Sequence, residues 1–293
     1  MTTTDEAPQA YWASFDIKIR ELEVLRRASV TPRMVRVTLG GPNLDGFESH
    51  VADEHVKLVF PDPDTGVTRY PAQDGDHLDW PRPFPPTRDY TIRRYDADAR
   101  EIDIDFVVHP GGRASEWAQT AEIGSTLWVA GPRPGLIVPP EFGFHVLLGD
   151  ETALPAIGRW VEELPADARG VVAVEIHDDG ERQDFTAPDG VVVHWLSREG
   201  KEPGTTTLLG DFAQSIQLPT DEHVYVFAQG EAGCIKPVRS WARAHGFGKG
   251  NSDIGGYWKL GRKGEVLPAT ATARLIARTK HRLDHLLGRD HDH

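Results

Sequence analysis

Cysteine is almost absent from this 293-residue chain. Cys234 is the single one, so neither a disulfide framework nor a cysteine cluster for zinc or iron–sulfur can be built from it. Long apolar runs are missing too. No stretch approaches the length of a membrane span, which argues against membrane insertion, and Met1 to Pro8 is polar and acidic rather than a signal peptide. The cytoplasm is therefore the expected compartment. Positive charge is in deficit, with 32 Lys and Arg against 45 Asp and Glu and a net charge of −13. A phosphate backbone is bound through neutralising cations, so nucleic acid is disfavoured as a general partner. The same charge repels anionic small molecules at long range, and any anion site must be a local basic pocket. Catalytic signatures are equally scarce. Thirteen histidines form no HExxH pair, no Gly-x-Ser-x-Gly elbow occurs, and Gly246-Phe-Gly248-Lys249-Gly250 lacks the spacing and following Ser/Thr of a phosphate loop. An absent acid–base constellation fits electron transfer, in which a cofactor carries the chemistry and protein supplies position and electrostatics.

What is there divides in two, as the length predicts. After a start expected to be disordered (1–16), short alternating segments follow one another: Ile17 to Arg27, Met34 to Leu39, Val56 to Phe60, Tyr90 to Tyr95, Glu101 to Val108 and Thr126 to Ala130, broken by turns such as Gly40-Gly41-Pro42 and Gly131-Pro132. This spacing predicts an antiparallel β-barrel or sandwich over 17–142. From Phe144 the pattern changes to apolar strands alternating with helices. Phe144 to Leu148, Val171 to Ile176, His194-Trp-Leu and Val224 to Ala228 are the strands, and helices run to Leu164 and from Ala232 to Ala244. They predict a parallel, three-layer α/β domain over 143–265. Residues 266–293 carry Leu275, Ile276, Leu283, Leu286 and Leu287 at helical spacing, which predicts a C-terminal amphipathic helix and tail. Asp290-His-Asp-His293 is read as a frayed end rather than a metal site.

The chain is organised around Arg88-Asp-Tyr90-Thr91-Ile-Arg93, which follows the proline-rich run Trp80 to Pro86. Alternation in a strand sets Arg88, Tyr90 and Ile92 on one face and Thr91 and Arg93 on the other. An isoalloxazine ring needs an aromatic plane and a hydrogen bond at its reactive nitrogen, and a dinucleotide pyrophosphate needs planar bidentate cations. The stretch offers all of these, although an ordinary barrel strand with surface arginines would read the same. A second stretch, His109-Pro-Gly111-Gly112-Arg113-Ala114-Ser115-Glu-Trp117, joins a strand to a helix with Ser115 as the expected N-cap, so that helix donors face a glycine turn and could hold an anion. Gly149-Asp150-Glu151-Thr152-Ala153-Leu-Pro155 and Gly230-Glu231 close two strands of the second domain, where ligands of such sheets sit. Cys234 is read as a buried helical thiol.

These motifs, with Gly256-Tyr257-Trp258-Lys259-x-Gly261-Arg262, occur in one order between about Ile17 and Glu265 and resemble the siderophore-interacting proteins, a branch of the ferredoxin-reductase-like flavoproteins. The resemblance implies an FAD-binding barrel, a nicotinamide-binding α/β domain and reduction of ferric siderophores with NADH or NADPH. It implies that Tyr90 packs on the isoalloxazine, Thr91 lies near its reactive edge, and Arg88, Arg93 and the turn from His109 through Gly112, Arg113 and Ala114 to Ser115 serve FAD. Asp150, Glu151, Thr152, Ala153 and Glu231 would line the nicotinamide crevice. Lys57, Lys259 and Arg262 would hold the ferric siderophore. The glycine turn departs from the family in lacking a proline near the serine, and Gln229 replaces a small residue.

Acidic residues at His177-Asp178-Asp179-Gly180 lean the donor towards NADH, since they would repel a 2′-phosphate. The chain is expected to act as a monomer. Two alternatives stay open at this level: another flavin-dependent reductase of the same architecture, and a non-enzymatic siderophore-binding protein.

Overall fold

The computed structural model describes residues 7–13 and 15–261, so Arg262 and the expected C-terminal helix lie outside the described residues. The first half contains β1 (Tyr11–Ala13), β2 (Lys18–Thr31), β3 (Met34–Gly40), β4 (His55–Val59), β5 (Ala72–Asp74), β6 (His77–Asp79), β7 (Thr87–Thr91), β8 (Arg94–Asp96), β9 (Glu101–Val107), α1 (Arg113–Thr120), β10 (Thr126–Gly131) and β11 (Gly135–Ile137). The second contains β12 (Phe144–Asp150), α2 (Leu154–Glu163), β13 (Arg169–Ile176), β14 (Gly190–Ser197), α3 (Leu208–Ser215), β15 (Val224–Glu231), α4 (Ala232–Ala244) and β16 (Ser252–Trp258).

Seven antiparallel strands form one sheet in the order β7-β4-β10-β2-β3-β9-β8. Its two edges, β7 and β8, are neighbours in sequence, so the sheet curls until the chain steps across the seam at Ile92 and Arg93. This corrects the single strand expected over Tyr90 to Tyr95. The step is held from both sides, by Ile92 N–H donating to the Glu54 carbonyl and Arg93 N–H donating to that of Asp103, both at 2.9 Å. Inside lie Leu22, Val37, Leu39, Val56, Leu58, Ile92, Ile104 and Phe106. The alternation visible in the sequence faces them inward.

The second half is a five-stranded parallel sheet in the order β14-β13-β12-β15-β16. Sequence order reverses between β12 and β15, which opens a crevice at their carboxyl ends. One face carries Val146, Leu148, Val226 and Ala228 against α3 and α4. The other carries Leu147, Tyr225 and Phe227 against α2 and, from the barrel half, Met34, Ala52, Leu136 and Phe142. One apolar core thus joins the two halves.

Polar contacts reinforce that joint. Arg93 forms a bidentate pair with Glu162 on α2 at 2.8 and 2.7 Å, Arg159 Nη1 donates to the Ile92 carbonyl at 3.1 Å, and Glu181 accepts from the Thr31 hydroxyl and the Arg33 N–H. The stretch expected to be a disordered start contributes as well. Its residues 11–13 pair antiparallel with β11, Trp12 packs into the shared core, and Ala10 N–H donates to the Gly250 carbonyl at 2.7 Å. Apolar side chains and a free strand edge outweigh the polar composition that suggested disorder.

Between β4 and β7 the chain makes a long excursion holding the β5–β6 hairpin. Its aromatic residues dock outside the barrel, Tyr70 stacked on Trp128 at 3.6 Å and Trp80 beside Phe84 at 4.7 Å.

His145 on β12 is 6% exposed, its Nδ1 has no partner among the described residues, and burial pushes its imidazole down to about 4. Unfolding restores an ordinary value of about 6.5, so acid favours the unfolded chain as pH falls from about 6.5 to 4. His145→Phe is therefore expected to lose about 2 kcal/mol less than the parent between pH 7.5 and pH 5, as read from denaturant unfolding at both values.

Candidate functional site at the barrel seam and the sheet crevice

The seam places Tyr90 where its ring is only partly covered. It packs on Phe106 at 4.4 Å, and Phe106 and Phe60 pack in turn on Trp117 of α1, each at 5.7 Å. Burial holds the Tyr90 phenol well above its ordinary value, with Arg88 opposing weakly, so the ring is neutral at any physiological pH. Arg88 lies across from Leu58 and Tyr90 from Val56, so both share one face of β7 as the alternation required. The Arg88 guanidinium donates to its neighbour's carbonyl, that of Thr87, at 2.7 Å, and has no carboxylate partner among the described residues. Arg113 is alike, donating only to the Pro61 carbonyl at 3.3 Å. In a chain so rich in acid, two half-buried guanidiniums without a counter-ion are available to an anion.

The turn leading into α1 differs from expectation in one respect. Gly112, not Ser115, is the N-cap, and no side chain caps the helix. Ser115 lies inside the first turn, 1% exposed, where its Oγ accepts from the His109 N–H at 3.0 Å. The hydroxyl thus folds the turn back on its own approach strand and leaves the leading helix N–H groups uncapped, with Ala114 packed beneath. A Cβ at Gly112 would stand 2.1 Å from the ring of His109, an exposed side chain that can swing aside. The position has an ordinary φ of −92°, so the backbone itself does not demand glycine there.

At the crevice the acidic residues are already engaged. Asp150 Oδ2 accepts from the Glu231 N–H and the Trp258 indole, both at 2.8 Å, while Oδ1 accepts from the Thr152 N–H at 2.9 Å and from its hydroxyl. Gly230 passes so close that a Cβ would meet Asp150 Oδ2 at 2.8 Å. Glu231 caps α4 through the Gly233 and Cys234 N–H groups. Glu151 is locked to Arg198 by two 2.8 Å bonds, with Glu175 behind at 3.6 Å, and Ala153 is fully buried in the shared core. Burial raises the Asp150 and Glu175 carboxyls above their usual range. It also lifts the Cys234 thiol to about 11, which keeps that thiol protonated. Asp150 and Glu231 shape the crevice mouth by fixing backbone, and Glu151 by holding Arg198, rather than by presenting free charge.

Arg93 is likewise spent, holding Glu162 across the two halves instead of facing an anion. Thr91, on the opposite face of β7 from Tyr90, is buried, and the half-exposed Tyr257 phenol of β16 lies near it. The barrel seam and the edge strand of the second sheet therefore meet at Thr91. Tyr257 and Trp258 lie on β16, a strand that its glycines obscured in the sequence.

Lys57 faces outward on β4 and pairs with Asp89 at 2.6 Å. The cleft beside it is lined by Ile17, His77, Trp80 and Arg133, and Lys259 is not among its walls. Arg133, missed from the sequence, enters because its N–H donates to the His55 carbonyl at 3.0 Å, which fixes the loop after β10 beside β4. Its buried Nε has no partner among the described residues. Two cations stand here against Asp89 and Asp76, so the cleft is charge-balanced on an otherwise acidic protein, with Arg133 lacking a carboxylate partner among the described residues. The signal for Arg133 was its place just beyond Gly131-Pro132, at the end of the strand beside Lys57.

A test of the turn follows. Gly112→Ala should swing the exposed His109 ring aside and shift its NMR signals with little loss of stability, because the Ser115 hydroxyl bonds the His109 backbone N–H rather than the ring. Gly111→Ala should destabilise, because Gly111 has φ +70°, while leaving the His109 ring signals unchanged. The reverse pattern would mean that the His109 ring is packed into the turn.

Comparison with known proteins agrees with this architecture. The family model described as the siderophore-interacting FAD-binding domain matches residues 23–136, and the one described as siderophore-interacting protein matches residues 143–261. The chain is 33% identical to ferric vibriobactin reductase ViuB of Vibrio cholerae over 257 residues, covering 84% of this chain and 92% of that one. It is 35% identical to the NADPH-dependent ferric-chelate reductase of Escherichia coli over 262 residues, covering 88% and 99%. The crystal structure of a siderophore utilization protein from T. fusca superposes with a TM-score of 0.84 at 41% identity, covering 89% of this chain and all of that one. With both halves matched in order and several relatives above 30% identity over most of their length, the chain belongs to the siderophore-interacting protein family.

Proposed function

We propose that the chain is a flavoprotein reductase, which binds FAD at the barrel seam, takes electrons from NAD(P)H in the sheet crevice and delivers them to a ferric siderophore. The observation that carries this reading is the seam itself. A partly bare tyrosine stands between an unpaired guanidinium and an uncapped helix start, and it abuts the edge of a nucleotide-type sheet at Thr91.

The residues fit FAD. Tyr90 offers its ring to the isoalloxazine, Thr91 a hydroxyl beside it, and Arg88, Arg113 and the N–H groups from Gly112 to Ser115 a cradle for the pyrophosphate. Bound there, FAD would supply the exchange between a two-electron donor and a one-electron acceptor. Arg93 is assigned to joining the halves rather than to the cofactor. Asp150, Glu151 and Glu231 hold the crevice open for nicotinamide, together with Thr152 and Ala153. The acidic stretch after β13 does not select NADH over NADPH. Asp178 accepts from the Gly180 N–H and Asp179 pairs with Arg182, so their charge is satisfied locally, and the Escherichia coli relative is named for NADPH.

The chelate is assigned to the cleft of Lys57 and Arg133, with Trp80 as an aromatic wall. Iron(II) is held less tightly than iron(III) by hard oxygen donors, so reduction releases it. Lys259 remains a candidate at the periphery, exposed beyond β16. No helix among the described residues is long and apolar enough to cross a membrane. We assign the reaction to the cytoplasm, where reduced nicotinamide is available, and to a monomer.

The test is an anaerobic absorption spectrum of the protein with FAD, before and after NADPH or NADH and then after a ferric siderophore with a ferrous trap. The flavin bands should bleach and then recover as the trap colours. A bleached flavin that ignores every ferric chelate would move the function to another acceptor, and failure to bind FAD would remove the enzymatic reading. Arg88→Ala should weaken FAD binding by roughly tenfold or more, as read by fluorescence titration. Arg133→Ala should raise KM for an anionic ferric chelate by about tenfold while leaving bleaching by the nicotinamide intact.

A further inference from the structure

The segment between β14 and α3 has no part in the roles assigned so far, and both of its ends are fixed. Arg198 continues the β13–β14 ladder by donating its N–H to the Ile176 carbonyl at 2.8 Å, and its buried guanidinium holds Glu151. At the other end Leu209 is buried in the core beneath α3 and α4. Between them, residues 199–207 run across the carboxyl ends of the sheet. The Gly200 N–H donates to the His177 carbonyl just beyond β13 at 3.0 Å, and the Thr206 hydroxyl donates to the Glu175 carboxylate near the end of β13 at 2.7 Å. Gly204 lies against Glu231 at the end of β15 and the Trp258 ring at the end of β16, where a Cβ would stand 2.9 and 3.2 Å away. The Cys234 thiol, in the first turn of α4, donates to the Thr206 carbonyl at 3.4 Å. In the sheet, β12 lies between β13 and β15. A segment that touches both neighbours passes over the end of β12, where strand order reverses and ligands of such sheets enter.

The middle of the segment is lightly held. No residue from Glu199 to Thr207 is fully buried, so the hydrophobic effect contributes little to keeping it down. The backbone turns sharply at each end of the crossing, with φ of +52° at Glu199, +79° at Gly200 and +80° at Gly204. Glycine adopts such angles freely, whereas at Glu199 the left-handed conformation carries a steric cost that a lifted chain sheds. What remains to hold the crossing is polar. Glu175 is 1% exposed and receives the Thr206 hydroxyl on one oxygen, with the Arg198 guanidinium 3.6 Å from the other. That single charge-assisted bond joins the crossing to the sheet, while the Arg198–Glu151 pair stays in place whether the crossing is down or lifted.

We infer that residues 199–207 are a strap closed across the donor crevice, which lifts to admit the nicotinamide dinucleotide, with Thr206 as its latch and Arg198 as the fixed post on which it turns. This rests on the reductase reading. With the strap down in the free protein, the donor binds only the lifted fraction, and its apparent affinity is reduced by that fraction. Loosening the latch therefore tightens donor binding. A segment that served only as one wall of the donor site would behave in the opposite way, because loosening it would remove contacts from the bound donor.

The test has two arms, both on the full chain with FAD. Amide hydrogen exchange read by mass spectrometry should be faster in peptides within 199–207 than in β14 or α3, and Thr206→Val should speed it there by at least about fivefold while leaving β13 and β14 as in the parent. Calorimetric titration with NADP⁺, and separately with NAD⁺, should give a Kd about tenfold lower for Thr206→Val than for the parent. Thr206→Ser keeps the hydroxyl and should match the parent. So should Thr205→Val, whose hydroxyl bonds the Glu202 carbonyl within the strap rather than the sheet. A Kd that Thr206→Val leaves unchanged or raises, or strap peptides that exchange no faster than α3, would overturn the assignment. Protein that binds no FAD, or neither dinucleotide, would overturn the reductase reading and the role of the strap with it, while hydrogen exchange would separately report whether the segment lifts.

Discussion

Everything about the site depends on how the barrel closes. Consecutive strands β7 and β8 lie at opposite edges of one sheet, so the chain itself crosses the seam, and the crossing is pinned by two backbone hydrogen bonds at Ile92 and Arg93. A closed barrel would bury Tyr90 among its neighbours. The seam leaves that ring partly exposed, with Phe106, itself backed by Trp117, packed against it. The same crossing throws Arg93 outward, where it grips Glu162 and sets the second sheet against Thr91. The face proposed for the cofactor and the domain joint are two results of a single backbone step.

Electrostatics divides the arginines by task. Those that pair with carboxylates, such as Arg36 with Asp105, Arg94 with Asp103 and Arg198 with Glu151, fasten strands and loops. Burying such pairs is stabilising only where geometry and further hydrogen bonds offset desolvation, as they do for the bidentate Arg198–Glu151 pair. Arg88, Arg113 and Arg133 have no such partners among the described residues and face open space at the seam or the cleft. On a surface of net charge −13, such unpaired guanidiniums are local places where an anion can be held.

The two-part architecture was legible because its periods are clean. Alternation gave the barrel strands, and continuous apolar runs between helices gave the parallel sheet. The sequence also marked Arg88, Tyr90 and the turn at Gly112, because proline, glycine and a lone aromatic are strong local signals. It was least legible where partners are remote. Nothing local indicates that Arg93 will find Glu162, that Glu151 will be consumed by Arg198, or that Ser115 will turn back to His109 rather than cap its helix. The strand at Tyr11–Ala13 is held by an edge 124 residues away, which no window of sequence contains. Arg133 was hidden because a loop arginine becomes part of a cleft only once β10 is known to lie beside β4.

The excursion between β4 and β7 has a different consequence. Its ends emerge from strands that are hydrogen-bonded neighbours, so they stay fixed whatever the intervening chain does. Doubling the length of such a loop costs only about 0.6 kcal/mol in closure entropy. Trp80 and His77, which wall the cleft beside Lys57, both belong to it. The walls of the proposed chelate cleft can therefore be lengthened, shortened or rewritten by mutation without disturbing the seam, and a reductase built this way can follow a change of siderophore while its proposed electron path stays untouched.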